Sequence, residues 1–306
     1  MSFCSRVKGE VCNNKMERAC CKKALLNSAF AFFNTVSDSK IKMNTESPQV
    51  AEYINSLIKE ILPQLDEVCF KNNKGKKGYT LSITSSDIIR EIAVKIGLIN
   101  KKTGQIIAEI DSNLSIDPCC QRASVIGAFL VAGSVTDPDR QYHFEISNHR
   151  KSELHKISEI LLGMDFLPKI IKRGSDYVLY LKEKEGIADM LNYIGAKETF
   201  FEYHDAMILK DAKNRANRKA NCENANVTKT VNAAVAQANA IRKLIDEKRF
   251  ETLPENLKEI ALLRLNNIDA SLSALAELCT EPISRSGINH RMQKIMEIAN
   301  EGKING

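Results

Sequence analysis

The amino-acid sequence repeats itself at a constant offset of 99 positions, and this repeat limits the possible folds more than any single motif does. The segment CCKKA at 20–24 aligns with CCQRA at 119–123, and the register continues without a gap to IKEIL at 58–62 and ISEIL at 157–161. After a one-residue deletion the alignment resumes at an offset of 98. A unit of this length is a folded lobe, much larger than a solenoid repeat. The repeat therefore predicts two lobes that pack about a pseudo-twofold axis, with the rest of the chain outside them.

Within each lobe the hydrophobic pattern predicts the same order of elements, αββαββα. Ser47 followed by Pro48 is typical of a helix start, and Gly97 and Gly195 are typical helix stops. The predicted helices are 20–33, 48–62 and 86–96 in the first lobe, and 119–132, 149–162 and 186–194 in the second. The predicted strands are a pair within 36–45, a hairpin of 67–70 with 79–84 around a turn at 72–75, a pair within 135–146, and a hairpin of 169–173 with 177–182.

Composition excludes several classes of protein. No stretch approaches the roughly 20 apolar residues of a membrane span, and the N-terminus has no apolar signal core. We therefore expect a cytoplasmic protein with no membrane partner. The nine cysteines are an odd number and do not predict a disulfide framework. Adjacent Cys-Cys pairs suit metal chelation poorly and no C-x-x-C occurs, so we predict buried thiols at two helix starts, no metal site and no cofactor.

Two lobes of this topology resemble the LAGLIDADG homing-endonuclease scaffold, and the resemblance is sharpest in the segment VIGAFLVAGS at 125–134. Gly127 and Gly133 match the two glycines of the family motif, where helices that pack closely need small residues. The metal-binding carboxylate of that motif is replaced by Ala132, and by Phe33 at the equivalent position of the first lobe. The other acidic position holds Leu130 and Ala31. Without oxygen ligands a catalytic Mg²⁺ has no site, so we predict no nuclease activity and no catalytic residues.

Beyond residue 196 the sequence becomes more basic. Residues 204–243 contain eight Lys or Arg against three Asp or Glu. The pattern predicts helices at 200–218 and 227–248, separated by the asparagine-rich segment 221–226. Two interpretations stay open, a helical connector between domains or a clamp on the DNA backbone. The candidate phosphate contacts are Lys213, Arg215, Arg218, Lys219 and Lys229.

The C-terminal residues predict a helix-turn-helix with helices at 256–265, 271–278 and 284–299. Ile288 is expected to fill the space between the last two helices, where Ala276 allows a close crossing. Arginine suits guanine and asparagine suits adenine in the major groove. The alternative is a protein-docking unit. The candidate DNA-binding residues are Ser284, as N-cap, Arg285, Ser286, Asn289, His290, Arg291 and Lys294.

Together these parts resemble the WhiA family of bacterial regulators of sporulation and cell division. The matching segments are 127–135, 217–234 and 282–291. The resemblance implies an α+β domain of two LAGLIDADG-like lobes followed by an all-α helix-turn-helix domain. It implies sequence-specific binding to double-stranded DNA, transcriptional control, association with the nucleoid and a link to chromosome segregation. The predicted boundaries are 1–100 and 101–198 for the lobes, 199–250 for the basic connector and 251–306 for the helix-turn-helix.

The charge of the two lobes leaves a further function open. Residues 1–196 carry 27 basic and 23 acidic side chains, which is a small surplus for a saddle that grips DNA. One local basic cluster is Lys71, Lys74, Lys76 and Lys77. The lobes therefore fit either a DNA contact or a platform that docks another transcription or division protein. In the second case the chain is a DNA-tethered scaffold with little direct role in transcription.

Overall fold

The computed structural model describes residues 2–63, 71–72, 78–100 and 102–301. It divides the chain into two compact units, Met1–Asp211 and Ala212–Gly306. The division falls inside one long helix and not at residue 198 or 250. The predicted strand 67–70 and the cluster residues Lys74, Lys76 and Lys77 lie outside the described residues.

The first lobe has a four-stranded antiparallel sheet in the order β1-β2-β4-β3. Strand β2 pairs with β4 from Ile41 opposite Ile83 to Thr45 opposite Tyr79. Ser47 caps α3 by accepting a hydrogen bond from the backbone N–H of Val50, as predicted. The elements are α1 (Phe3–Asn13), α2 (Ala19–Ala31), β1 (Thr35–Val36), β2 (Ile41–Thr45), α3 (Pro48–Ile61), β3 (Lys71–Asn72), β4 (Tyr79–Ile83) and α4 (Ser86–Ile96).

The second lobe repeats this arrangement, with a sheet in the order β5-β6-β8-β7. Strand β6 begins at Phe144 and runs to Asn148, two residues beyond the predicted range 135–146, because its pairing follows β8 up to Tyr177. Gly97 and Gly195 both end their helices with a positive φ, as predicted. The elements are α5 (Pro118–Ala132), β5 (Gly133–Val135), β6 (Phe144–Asn148), α6 (Lys151–Leu162), β7 (Lys169–Arg173), β8 (Asp176–Leu181) and α7 (Lys184–Ile194).

The helices α2 and α5 pack against each other at the centre of this unit. Residues 24–31 of α2 and 123–130 of α5 are buried on every side of the helix, which marks both as core helices. A Cβ atom at Gly127 would overlap the backbone carbonyl of Leu25. The predicted reason for Gly127, a close approach of two backbones, is therefore confirmed. Gly133 differs, since a Cβ there would meet Phe129 of its own lobe.

The N-terminal helix α1 was not predicted from the sequence. It buries Phe3, Val7 and Val11 in the core of the first unit. Its Glu10 carboxylate accepts hydrogen bonds from the backbone N–H of Thr199, at 3.1 Å, and from the hydroxyl of Thr199, at 2.9 Å. Glu10 thus caps the first turn of the helix that follows the second lobe, where free N–H groups and the helix dipole favour a carboxylate.

That following helix, α8 (Lys197–Asp246), is continuous over 50 residues. The prediction of two helices with a break at 221–226 is wrong. Asparagine lowers helix propensity only modestly, and the alanines and basic residues around this segment are good helix formers. The remaining helices are α9 (Glu255–Asn266), α10 (Leu272–Glu277) and α11 (Arg285–Glu301).

Candidate nucleic-acid interface

The second unit has a small core shared by α8, α9, α10 and α11. The last turns of α8 contribute Ile241 and Leu244 to it, so this part of the predicted connector belongs structurally to the helix-turn-helix. Ile288 is fully buried, as predicted. In α10 the buried residue is Leu275, while Ala276 is only half-buried at the edge of the same core.

The turn between α9 and α10 is held by Arg264, a residue that the sequence analysis did not single out. Its side chain is 2% exposed. Its Nη1 donates hydrogen bonds to the backbone carbonyls of Asn267, Ile268 and Ala270, the last at 2.7 Å. Burial lowers the pKa of Arg264. Because a buried guanidinium must be hydrogen-bonded, this residue fixes the turn that orients the next two helices.

The helix α11 has the features of a recognition helix. Ser284 accepts a hydrogen bond from the backbone N–H of Gly287 at 3.2 Å, which confirms it as the N-cap. The buried stripe of the helix consists of Ile288, Met292, Ile295 and Ala299. The predicted DNA-binding residues that are exposed are Ser284, Arg285, Ser286, Asn289, His290 and Lys294. The exposed face of the first turns is therefore polar, with a net positive charge.

The structure places Arg291 apart from the other candidates. It is half-buried and lies about 160° around the helix from Asn289 at 3.6 residues per turn. Hydrogen bonds from the hydroxyl and the backbone N–H of Thr280 lower the pKa of Glu259, and the charge of Arg291 adds to this effect. Arg291 is therefore on a different side of α11 from Asn289, with its charge close enough to Glu259 of α9 to act on it.

The middle of α8 is free of tertiary packing. Every residue from 212 to 233 is exposed, and the segment contains five basic residues and one acidic residue. Four of the basic residues fall within a sector of about 100° around the helix, at 3.6 residues per turn. We call them the basic stripe: Arg215, Arg218, Lys219 and Lys229. Lys213, also a candidate, lies outside this stripe.

The end of the helix pair that carries the metal in LAGLIDADG endonucleases has different chemistry in this chain. Phe33 is 3% exposed and stacks on Phe30, with ring centroids 4.2 Å apart. Ala132 is half-buried. Arg150 donates from Nη2 to the backbone carbonyl of Ala31 at 2.6 Å, at the C-terminus of α2. A guanidinium here opposes a divalent cation, in addition to the loss of the carboxylates.

The outer face of the second sheet carries paired charges. Arg173 donates to Glu145 at 2.8 Å, and His143 lies 2.9 Å from the same carboxylate oxygen. Hydrogen bonds from Arg173 and His143 lower the pKa of Glu145 against the opposing effect of burial. Glu145 therefore pairs with the positive charge of Arg173 on this face.

The two Cys-Cys segments, predicted to be buried thiols at two helix starts, meet in space. The sulfur atoms of Cys20, Cys21, Cys119 and Cys120 all lie within 4.8 Å of one another. Cys21 and Cys120 are buried, whereas Cys20 is exposed and Cys119 is half-buried. Burial raises the pKa of Cys21 to about 11, and hydrogen bonds from Cys21 and Arg18 lower the pKa of Cys119.

Comparisons with known proteins agree with this architecture. A family model described as the WhiA C-terminal HTH domain matches residues 216–299, and one described as the WhiA LAGLIDADG-like domain matches residues 121–213. The confirmed fold class is thus a LAGLIDADG-like domain followed by a helix-turn-helix domain. Among the described residues, no helix has both the length and the apolar composition that a membrane span requires.

Relatives match over nearly the whole chain. A probable cell division protein WhiA of Clostridium botulinum is 34% identical over 99% of both chains. A protein of the same name from Ruminiclostridium cellulolyticum is 36% identical and covers 98% of this chain and 97% of its own. The crystal structure of full-length WhiA from Thermatoga maritima, at 20% identity, covers 98% of this chain and 99% of its own with a TM-score of 0.53.

Proposed function

The chain belongs to the WhiA family, and we propose that it is a sequence-specific DNA-binding protein that regulates transcription in cell division, sporulation and chromosome segregation. The observation that carries the proposal is the first part of α11, where Arg285, Asn289 and His290 are exposed above a packed core. Such a surface matches the hydrogen-bonding edges of bases in the major groove. We further propose that the protein is cytoplasmic and associated with the nucleoid.

The basic stripe on α8 supports a division of labour within the second unit. Phosphate contacts give affinity without sequence information, while contacts to base edges give specificity. We propose that Arg215, Arg218, Lys219 and Lys229 contact the DNA backbone and that α11 reads the bases. The exposed asparagines of the same stretch add further donors for phosphate and sugar oxygens.

Binding assays with single variants test the reading role of α11. The probe is a duplex selected from random DNA by the full chain, compared with a scrambled duplex. Asn289→Ala and Arg285→Ala should each weaken specific binding by about 1–3 kcal/mol and relax the preference at one base pair. Asn300→Ala is a matched control, because Asn300 is an exposed asparagine on the same helix about 16 Å further along. If both candidate variants bind the selected duplex as tightly as the control does, α11 is not the reader.

A DNA-tethered scaffold is the second candidate, and the ion pair of Arg173 with Glu145 on the outer face of the second sheet favours it. An arginine that is already paired with a carboxylate is less available to a phosphate, and the pair offers both charges to a protein partner. In the host, a chain with Arg285→Ala, Asn289→Ala and His290→Ala together separates the two candidates. Loss of normal division would support a role through base recognition. Normal division with this chain would favour the scaffold.

Nuclease activity is not part of the proposal. We expect no Mg²⁺-dependent cleavage by the full chain and none after Phe33→Asp with Ala132→Asp, since a cleaving site also needs a positioned water and groups that orient the ligands. The double change should instead destabilise the helix pair, because it places a charge beside the buried Phe30. Site-specific breaks that disappear when a chelator is added would overturn this expectation.

A further inference from the structure

We propose that Cys20, Cys21, Cys119 and Cys120 form a tetrathiolate site for one zinc ion that joins the two lobes. Among the described residues, they are the one group of three or more potential metal ligands that lie close enough together to share an ion. This site goes beyond the proposed DNA-binding function and lies in the other compact unit.

The position of the site follows from the repeat. Each Cys-Cys pair lies in the first turn of its helix, α2 or α5, at equivalent positions of the two lobes. The two helices run in the same direction, since the first turns meet at the thiols and Gly127 packs on the α2 backbone between Leu25 and Ala29. An ion between the first turns would take two ligands from each lobe. It would lie at the opposite end of the helix pair from Phe33 and Ala132, about 20 Å away at 1.5 Å per residue.

The distances fit a single ion. Around a tetrahedral zinc with Zn–S bonds of about 2.3 Å, neighbouring sulfur atoms are about 3.8 Å apart. Cys20 Sγ and Cys21 Sγ are 4.0 Å apart, and Cys119 Sγ and Cys120 Sγ are also 4.0 Å apart. The expectation that adjacent cysteines suit chelation poorly does not hold for the spacing within these two pairs. All four sulfur atoms lie within 4.8 Å of one another. Side-chain rotations that shorten the longest of these separations by about 1 Å bring the sulfur atoms to bonding positions.

The donor set selects the kind of ion. Four thiolates favour a soft or borderline cation over Mg²⁺ or Ca²⁺, which require oxygen ligands. An iron–sulfur cluster places several irons and sulfides between its cysteines and so needs more space than a single ion does. Zinc in a closed Cys₄ set is typical of structural sites, which join chain segments that are distant in sequence.

The surroundings suit a negatively charged zinc centre. Four thiolates and one Zn²⁺ carry a net charge of −2, and Arg18 Nη1 lies 3.6 Å from Cys119 Sγ. The positive N-terminal ends of α2 and α5 point in the same direction, and neither helix has a side-chain cap there. Cys20 is exposed, which gives an ion access from solvent, while the buried Cys21 and Cys120 would protect it once bound.

The first test measures zinc in the full chain. The protein is purified under reducing conditions without a metal-affinity column, stripped with a chelator, and reloaded with ZnCl₂ or CoCl₂. We expect one zinc per chain, a higher Tm with zinc than without it, and intense sulfur-to-cobalt charge-transfer bands with cobalt. A reduced and folded chain that retains no zinc, or a cobalt spectrum without thiolate bands, would overturn the proposal.

Variants assign the ligands. Cys20→Ser should lower zinc affinity at least about tenfold, since changes even outside the ligand set cost this much. Cys222→Ser is the matched control, because Cys222 is also an exposed thiol on a helix but lies outside the cluster. Cys119→Ser tests a second ligand, this one from the other lobe. Circular dichroism checks that the variant folds. Wild-type affinity in both cluster variants would contradict the site.

A disulfide is the competing fate of the same thiols. Intact-mass and peptide measurements on protein trapped with a thiol-blocking reagent at lysis distinguish the two. Blocking of all four cluster cysteines once zinc has been removed agrees with the proposal. A disulfide that joins 20–21 to 119–120 in freshly trapped protein would refute it. Since these readouts do not involve DNA, their outcome is separate from that of the DNA-binding proposal.

Discussion

The helices α5 and α11 show two different uses of a helix in the same chain. In α5 the eight consecutive residues 123–130 are buried, so this part of the helix has no free face. In α11 the buried residues recur at positions 288, 292, 295 and 299, while Asn289, His290 and Lys294 between them are exposed. The first pattern is that of a core helix, and the second is that of an amphipathic helix on a small domain.

This difference distinguishes the LAGLIDADG-like helix pair, α2 with α5, from the surface that we propose binds DNA. The pair of α5 with α2 retains the close packing of LAGLIDADG-like lobes, although Phe33 and Ala132 remove the metal ligands. The stretches 24–31 and 123–130, which are buried on every side, cannot offer side chains to a ligand in solvent. In α11 the core uses only one stripe, so Ser286, Asn289 and His290 can vary without loss of packing.

The largest expected effect sharpens this comparison on the α11 side. Ile288→Asp puts a carboxylate in the small core of the second unit and should destabilise that unit by about 5 kcal/mol, from lost burial and an unpaired charge. Hydrogen exchange of the full chain should show loss of protection in α11 but not in α5. Leu262→Asp is the control, since Leu262 is 48% exposed. Simultaneous loss of protection in both helices would show that the two units do not fold independently.

Gly127→Val tests the α5 side. The new side chain would overlap the α2 backbone, and such overpacking should cost about 3 kcal/mol. Hydrogen exchange, measured as the temperature is raised, should show that α2 and α5 lose protection while α11 keeps it. Gly186→Ala serves as the control because a Cβ there meets no atom closer than 3.9 Å. A fully stable Gly127→Val protein would mean that the helix pair does not depend on close backbone approach.

Arg264→Met tests whether one buried cation orients the recognition helix. The methionine fills a similar volume but leaves three backbone carbonyls without their donor, so we expect a loss of about 2 kcal/mol in the stability of the second unit. Chemical denaturation of the full chain measures it. Arg242→Met replaces an exposed arginine and should have little effect. Equal stability of the two variants would remove Arg264 from this role.

The smallest effect concerns the basic stripe on α8. Lys219→Ala should lower the slope of log binding constant against log salt concentration by about 0.9, the value for one lost phosphate contact. The change should be similar for selected and scrambled duplexes. Lys213→Ala, an exposed lysine outside the stripe, is the matched control. The same slope in both variants would leave the stripe as the surface of a connector.

Much of the architecture follows from local sequence patterns. The 99-residue offset predicted two lobes, and the structure has two sheets with the same strand order. Ser47, Gly97, Gly195 and Ser284 were recognised as helix boundaries because capping depends on residues within one turn. The periodic apolar residues of α11 likewise identified its buried side, including Ile288.

Other features depended on contacts between residues that are distant in sequence. The sequence alone determined the two lobes, through the 99-residue repeat, and the helix boundaries at Ser47, Gly97, Gly195 and Ser284, through residues within one turn. The resemblance to the LAGLIDADG motif identified the missing carboxylates. Only the tertiary structure brought the two Cys-Cys pairs together and buried Arg264 against the turn that follows its own helix. It also placed Glu10 at the start of α8, 187 positions before Lys197. Periodicity shows which side of a helix is buried, but which residues meet there is decided by the packing of whole elements.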